Sequence, residues 1–521
     1  MPPRWLLIGL SLFLASAAIG AIGAPQPALA WAHFGGILLA ACLALAIAAL
    51  PSTWAPRAAW GFGLVVGPVI VLGSFGVLGA VWAQNTVGGV AALGLPFALV
   101  ALFRPPGGAA TRVGAGVAAV LLAALLALSR SRGAMLAGLI AAVVVALWWA
   151  SRHWGRRRLQ LFIGMLGAVG LMGGLLLVVG WPWVAPLIDG VDVGGSDMGR
   201  LSIWRETVYL IGQAPLTGWG GGAFEGAYAL YARLIRVPLY SYAHHLYLGI
   251  AFEQGLGGLL IWLGLWAAAI GALLRADRAD RADRHDRHDR AGADPHRLAS
   301  LASAVTLGVH GLLDDPVLAG GALPLLFVWA GFAALFGRSE GVRSPARPEP
   351  ARGGSTYRVL IGLSGCIIAF VAGMSAPVQA LWHTNRAAVL LAAQELALWP
   401  TIGPVSEPAP ALAELDTAVA LDGELVAARF RRGLLALNEG DYVGACVDLE
   451  QAHAAAPDSR AVTKALGYAR LWSGDLEAAA ALLKDLPETP EELDAYVYYW
   501  ESIGQPVLSE RALALAQRLD P

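Results

Sequence analysis

Apolar stretches of about twenty residues recur from Trp5 to roughly Leu381. Each is long enough to cross about 30 Å of hydrocarbon as a helix. Their positions predict spans near 5–24, 29–50, 58–82, 86–103, 113–128, 132–150, 160–181, 245–274, 298–313, 320–337 and 358–381, about eleven in all. After residue 383 the pattern changes. Ala, Leu, Glu and Asp dominate, with turn signals at regular intervals. The expected fold class is therefore all-α: a polytopic membrane helix bundle over 1–383, a linker over 384–410, and a soluble helical-repeat domain over 411–521.

The repeat in the tail is visible directly. The segment from Gly433 to Gly440, Asp441 and Tyr442 recurs from Gly467 to Gly474, Asp475 and Leu476, offset by 34 residues. Each copy runs on into an Ala/Leu-rich helix that ends near Pro457 or Pro487. The period and the helix, Gly-Asp turn, helix layout resemble tetratricopeptide repeats. Segments 411–421 and 493–521 then serve as flanking or capping helices. Such a domain is either an inert appendage or a docking surface for a protein partner.

Composition agrees with a membrane body. Hydrophobic residues make up 57% of 521 positions and charged residues 14%, against about 25% charged in soluble domains. The net charge of −1 exerts no pull toward nucleic acid, so none is expected as a partner. Cys42, Cys366 and Cys446 show no Cys-x-x-Cys spacing, which argues against a disulfide framework or a zinc site. No metal ligand cluster and no cofactor motif is expected; the glycine-rich run 218–222 lacks the Lys-Ser/Thr that would make it a P-loop.

Arginine placement orients the bundle. With Arg4 inside, the cytoplasmic loops hold Arg57; Arg104 and Arg112; Arg152 with Arg156 to Arg158; the Arg-Ala-Asp repeats from Arg275 to Arg297; and Arg338 to Arg358. Five loops thus agree with the positive-inside rule. The N-terminus is then inside and, with an odd number of spans, the C-terminal domain lies outside. The first apolar run is longer than a signal-peptide core, so it is expected to remain as a span. Arg130, Arg132, Arg200, Arg205, Arg233 and Arg236 stay outside against this bias, the last four in one long external loop near 183–243. An anionic ligand at the outer interface would account for them, because guanidinium binds phosphate in a fixed fork geometry. Ordinary pairing with carboxylates or lipid headgroups is the plainer alternative.

Residues 200–258 hold the chemistry. Arg200, Trp204 and Arg205 open an amphipathic helix with Leu201, Trp204, Val208 and Ile211 on one face, suited to the headgroup plane. Pro215 ends it, and the turn Pro215-Leu-Thr-Gly218-Trp219-Gly220-Gly221-Gly222 follows. His244 and His245 then stand at the mouth of a long apolar helix, where an imidazole can accept a proton near neutral pH. Counted around that helix from His244, Ala251, Gly255 and Gly258 share a face fit for close helix packing, with Glu253 nearly opposite.

Together these pieces resemble the O-antigen ligase and O-antigen polymerase superfamily of bacterial membrane glycosyltransferases. Its signature of a histidine, a polar residue, nine positions, Gly, two positions and a small residue is matched by His244, His245, Gly255 and Gly258. His245 stands where Asn, Ser or Gln is common. Arg200 and Trp204 match Arg-x-x-x-Trp, the Pro215 segment matches Pro-Leu-x-Gly-x-Gly, Ser131-Arg132-Gly133 matches Ser-Arg-Gly, and His310 with Asp314 matches a later His-x-x-x-Asp. The resemblance covers about 113–336. It implies a glycan donor on undecaprenyl pyrophosphate in the bacterial inner membrane and an acceptor hydroxyl on lipid, glycan or protein. It also implies metal-independent, inverting transfer. Carried over, His244 is the general base, Arg132, Arg200 and Arg205 hold the diphosphate, and His245, Asp314 and Trp204 support them. A polysaccharide polymerase or protein oligosaccharyltransferase fits the same motifs. Rival readings are a small-anion or bicarbonate transporter and a non-catalytic membrane anchor.

Overall fold

The structure, a computed structural model, describes residues 1–74, 83–153, 196–231, 240–286, 294–315, 317–318, 320–338, 375–396, 408–486 and 489–519. Among these the regular structure is helical, with no strand. The chain divides into two compact units, Met1–Arg347 and Pro348–Pro521.

The first unit contains α1 (Arg4–Ile22), α2 (Pro27–Ala49), α3 (Ala55–Ser74), α4 (Gln84–Phe103), α5 (Ala109–Leu128), α6 (Arg132–His153), α7 (Ser196–Gln213), α8 (Phe224–Tyr231), α9 (Leu246–Asp286), α10 (Pro295–His310) and α11 (Val328–Phe336). Among the described residues, six helical segments are long and apolar enough to cross a membrane, and Arg132–Val143 and Ala322–Phe336 are shorter apolar helices. The six overlap the expected spans 5–24, 29–50, 58–82 (of which 75–82 lie outside the described residues), 86–103, 113–128 and 245–274, the shorter helix from Arg132 overlaps 132–150, and 298–313 is met by the sixteen-residue helix α10. The span expected over 160–181 lies outside the described residues, as does most of that expected over 358–381, whose described end, from Ala376, belongs instead to the helix Ala376–Leu396 of the second unit. The one expected over 320–337 is broken: a 3-10 turn, Gly320–Leu325, carries Pro324 before α11 begins. Proline brings no N–H to continue an α-helical ladder there. The helix expected to open at Arg200 begins at Ser196, and its buried positions are Ile203, Thr207, Leu210 and Ile211; Val208 is exposed. The apolar face is thus rotated from the expected one, because α7 packs on its own turn and on α9.

Aromatic rings fill the centre of the bundle. Phe13 of α1 meets Trp262 of α9 and Phe327 before α11 at centroid distances of 5.9 and 5.2 Å. A second cluster, with Val66, Ile70, Val90 and Leu122, joins α3, α4 and α5. Lipid provides no hydrophobic drive between helices, so close packing of rings and small residues holds such a bundle together. Polar contacts gather at its two ends. At one, the first turns of α4 and α6, the start of α9 and the turn after α10 meet. At the other, Arg297 binds Asp280 at 2.5 Å and the Phe336 carbonyl at 2.8 Å, and Arg338 binds the Leu50 carbonyl at 3.1 Å.

The second unit contains α12 (Ala376–Leu396), α13 (Ala409–Leu421), α14 (Val426–Glu439), α15 (Tyr442–Ala455), α16 (Arg460–Ser473), α17 (Leu476–Leu483), α18 (Thr489–Ser502) and α19 (Pro506–Leu519). Residues 384–396, expected as linker, belong to α12. Its alanines pack on α13, with Ala387, Ala411, Leu415 and Leu435 forming one cluster. His383 Nδ1 lies 2.6 Å from Glu414 Oε2, and Arg431 donates to the Thr384 carbonyl at 2.8 Å. The Gly-Asp pairs of the repeat act as a hinge: Gly440 and Gly474 close one helix in the left-handed region, and Asp441 and Asp475 cap the next by accepting from Gly444 and Ala478 amides.

Candidate functional site

Asp314, in the turn after α10, is the centre of the polar end of the bundle. Its side chain is 2% exposed. Oδ2 accepts from Arg200 Nη2 of α7 at 3.1 Å and from the Asn85 side-chain amide in the first turn of α4. Oδ1 accepts from the Asp315 amide at 2.8 Å and faces His244 Nδ1 at 3.4 Å. A second Arg200 nitrogen, Nη1, donates to the Leu313 carbonyl at 3.3 Å. A buried carboxylate needs such partners, since an unpaired one in the membrane is costly. Burial alone would raise the Asp314 carboxyl. His244, the Asp315 amide and Arg200 outweigh it and bring it below the usual carboxylate range. The group is a carboxylate.

His244 is held by backbone and side chain alike. It adopts φ 49°, in the left-handed region that few residues other than glycine enter. Trp204 Nε1 donates to its carbonyl at 3.2 Å, and the next amide but one, Leu246, donates to the Gly311 carbonyl at 2.9 Å. The Tyr242 ring lies 4.1 Å from the imidazole, centroid to centroid, and Tyr240 meets it edge-on at 6.3 Å. Burial, with the nearby Asp314 and Asp315 charges, raises the Tyr242 hydroxyl against the opposing effect of Arg200, so it stays protonated. The imidazole thus presents Nδ1 to Asp314 between two tyrosine rings.

His245 has a different task. Its Nδ1 accepts from the Leu248 amide at 3.2 Å, as an N-cap does at the start of α9, and its ring meets Trp204 edge-on at 5.1 Å. Of the two histidines, His244 is the one at Asp314.

Arg132 is exposed at the start of α6. The next residue, Gly133, sits against this end of the bundle: a Cβ there would lie 3.2 Å from His310 Cδ2 and from Leu313 Cβ. Arg205 is exposed on α7. Five residues past Arg200, it points about 140° around the helix from it. The structure therefore brings Arg200, Trp204, His244 and Asp314 together, sets Arg132 one residue from their neighbours, and turns Arg205 away. Sequence reasoning missed Asn85 and Tyr242. A polar residue at the outer end of a span was the only signal for the first, and an aromatic two positions before His244 for the second.

The glycine-rich turn holds the site from behind. Gly255 interrupts α9 with φ 70° and ψ −177°, which breaks the helical face it was expected to share with His244, Ala251 and Gly258. Breaking a helix frees backbone groups, and the turn after α7 takes them up. Trp219 and Gly220 amides donate to the Phe252 and Glu253 carbonyls at 2.7 and 3.0 Å, and the Leu256 amide donates to the Pro215 carbonyl at 2.8 Å. Side chains would obstruct this contact. A Cβ on Gly255 would lie 2.6 Å from the Pro215 carbonyl oxygen, and one on Gly218 2.4 Å from the Glu253 carbonyl carbon. Glu253 itself faces His33 Nε2 of α2 at 3.0 Å. Among the described residues no three His, Cys, Asp or Glu side chains converge as a metal site would.

The O-antigen ligase family model matches residues 117–263, and a tetratricopeptide repeat model matches residues 436–498. No curated protein matches the chain. The first match contains Arg132, Arg200, Trp204, Arg205, His244, His245 and the glycine turn; Asn85 and Asp314 lie outside it. The residues that carried the resemblance thus fall largely inside the stretch that is similar to the O-antigen ligase family, within a multi-pass membrane protein whose tail is similar to tetratricopeptide repeats.

Proposed function

We propose that the protein transfers a glycan from undecaprenyl pyrophosphate to an acceptor hydroxyl at the outer face of the bacterial inner membrane. The observation that carries this reading is the chain Arg200, Asp314, His244, formed by residues 114 and 70 positions apart from Asp314. Asp314 fixes the imidazole through Nδ1, which directs the opposite nitrogen toward an acceptor. His244 takes the hydroxyl proton as the oxygen attacks the anomeric carbon. The glycosidic bond to the diphosphate breaks in the same displacement, which inverts the centre. Arg200 and Arg132 stabilise the charge that grows on the leaving diphosphate. The ligand is anionic, and the Arg200 guanidinium at Asp314, with Arg132 at the edge of the site, supplies the cationic donors that it requires.

Ligation to a lipid-linked core, chain polymerisation and transfer to protein all use these steps. The repeat domain, with the tail outside, favours a protein or polymer partner. A small-anion transporter fits less well. In transporters with broken helices the unwound carbonyls coordinate the cargo, whereas here the Phe252 and Glu253 carbonyls are taken by the glycine turn.

The test is glycan transfer by purified protein from a lipid-linked oligosaccharide to candidate acceptors. His244→Ala is expected to lose at least about 100-fold in rate, the scale of general-base assistance. Equal rates in variant and wild type would remove His244 from the mechanism.

A further inference from the structure

Arg200 has two competing duties. It binds Asp314 Oδ2 and the Leu313 carbonyl, and in the transferase reading, on which this inference rests, it also meets a diphosphate. A guanidinium turning toward a phosphate must give up part of its grip on Asp314, and a carboxylate only 2% exposed cannot turn to water for compensation. Losing its alignment would also release His244 Nδ1 from Oδ1.

Asn85 stands at that oxygen. Its amide donates to Oδ2, the same atom that Arg200 binds, so the two donors share one acceptor. The side chain is neutral and short, and its backbone is anchored. One turn along α4, Gly88 lies against the Ser129–Arg130–Ser131 turn, where a Cβ would be 2.6 Å from Ser129 Oγ and 2.8 Å from Ser131 Cβ. Asn85 thus cannot follow Arg200 outward. Having no charge, it also does not compete with Arg200 for the diphosphate.

We propose that Asn85 is a positioning residue that keeps Asp314, and through it His244, in place when Arg200 engages the diphosphate of the donor. Without this amide, Arg200 stays committed to Asp314, and diphosphate affinity falls.

The test uses the full chain purified in detergent and measures binding of farnesyl diphosphate, with farnesyl monophosphate as the comparison. Asn85→Leu is expected to bind the diphosphate about tenfold more weakly than wild type, the scale of stranding one buried acceptor. Asn85→Asp keeps the shape but loses the donor and adds a second carboxylate beside Arg200, so it is expected to bind at least as weakly. Asn85→Gln, which restores an amide donor, is expected to recover most of the affinity. Wild-type affinity in Asn85→Asp would show that only shape matters and would overturn the proposal. Unchanged affinity in Asn85→Leu would overturn it while leaving the transferase reading intact. Failure of the wild type to prefer diphosphate over monophosphate would overturn the diphosphate reading, and this inference with it.

Discussion

Two adjacent aspartates at one turn have opposite electrostatics, and the difference follows from what each oxygen touches. Asp314 meets Arg200, Asn85 and His244 and remains ionised. Asp315 is 2% exposed, and its Oδ1 accepts only amides, from Val317 at 3.2 Å and Leu318 at 2.8 Å. Burial, opposed by the two amides and reinforced by the charges of Glu253 and Asp314, pushes its carboxyl up to about 7. The folded value thus exceeds the ordinary 3.8. Below 3.8 the carboxyl is neutral in both states. As pH rises toward 7 the unfolded chain ionises while the folded one resists, and stability is lost over that window. Asp315→Asn keeps an oxygen for both amides and removes the charge. The gap in melting temperature between this variant and wild type is therefore expected to widen in the variant's favour from pH 4 to pH 7 and to level off above. Its size follows from about 1.4 kcal/mol for each pH unit separating the two values, which amounts to several degrees. Thermal melts in detergent at pH 4, 5.5, 7 and 8.5 measure it. A constant or shrinking gap would show that Asp315 ionises freely.

At the scale of elements, the break in α9 is what the sequence least revealed. Gly255 and Gly258 fit a small-residue stripe along a continuous helix equally well, because periodicity counts faces and is blind to a distant partner. The break becomes affordable only when the Pro215–Gly220 turn, about 35 residues earlier in the chain, brings amides to the freed carbonyls. Trp219 then lies parallel to Phe252 at 6.0 Å, and its Nε1 binds the Leu210 carbonyl at 2.8 Å, joining α7, the turn and α9. Gly255→Ala tests this join. An alanine would adopt φ 70° only with strain, and its Cβ would press on the Pro215 and Leu216 carbonyls at 2.6 Å. A loss of roughly 2–4 kcal/mol is expected, from steric overlap added to the left-handed penalty, seen as a lowered melting temperature together with reduced transfer. Gly264→Ala, with nothing within 4 Å of its Cβ, is the control and is expected to melt like wild type. If both variants melt alike, the break does not depend on glycine.

At the scale of the whole molecule, the hydrophobic pattern carried the architecture, because crossing hydrocarbon imposes a length that irregular structure cannot meet. The separation of polar ends was legible too: Arg200, expected outside, stands at the end where it meets Asp314, and Arg297 and Arg338, expected inside, stand at the other, where Arg297 meets Asp280. Asn85 was harder to read, since a single asparagine gains meaning only from a partner 229 positions away. The α12 helix was hidden for a related reason: its alanine face gains meaning only from α13, on which it packs. Sidedness remains a matter for chemistry. With Cys42, Cys366 and Cys446 replaced by serine or alanine, single cysteines at exposed positions report which side each segment occupies. Arg205→Cys and Val443→Cys are expected to react with a membrane-impermeant maleimide in intact spheroplasts, and Arg57→Cys and Arg112→Cys only after lysis. Reaction at residue 205 with protection at residue 443 would put an even number of spans before the tail and place the repeat in the cytoplasm. The docking role would then fall to a cytoplasmic partner, and an acceptor held by the tail beside the transfer site would be ruled out by topology alone.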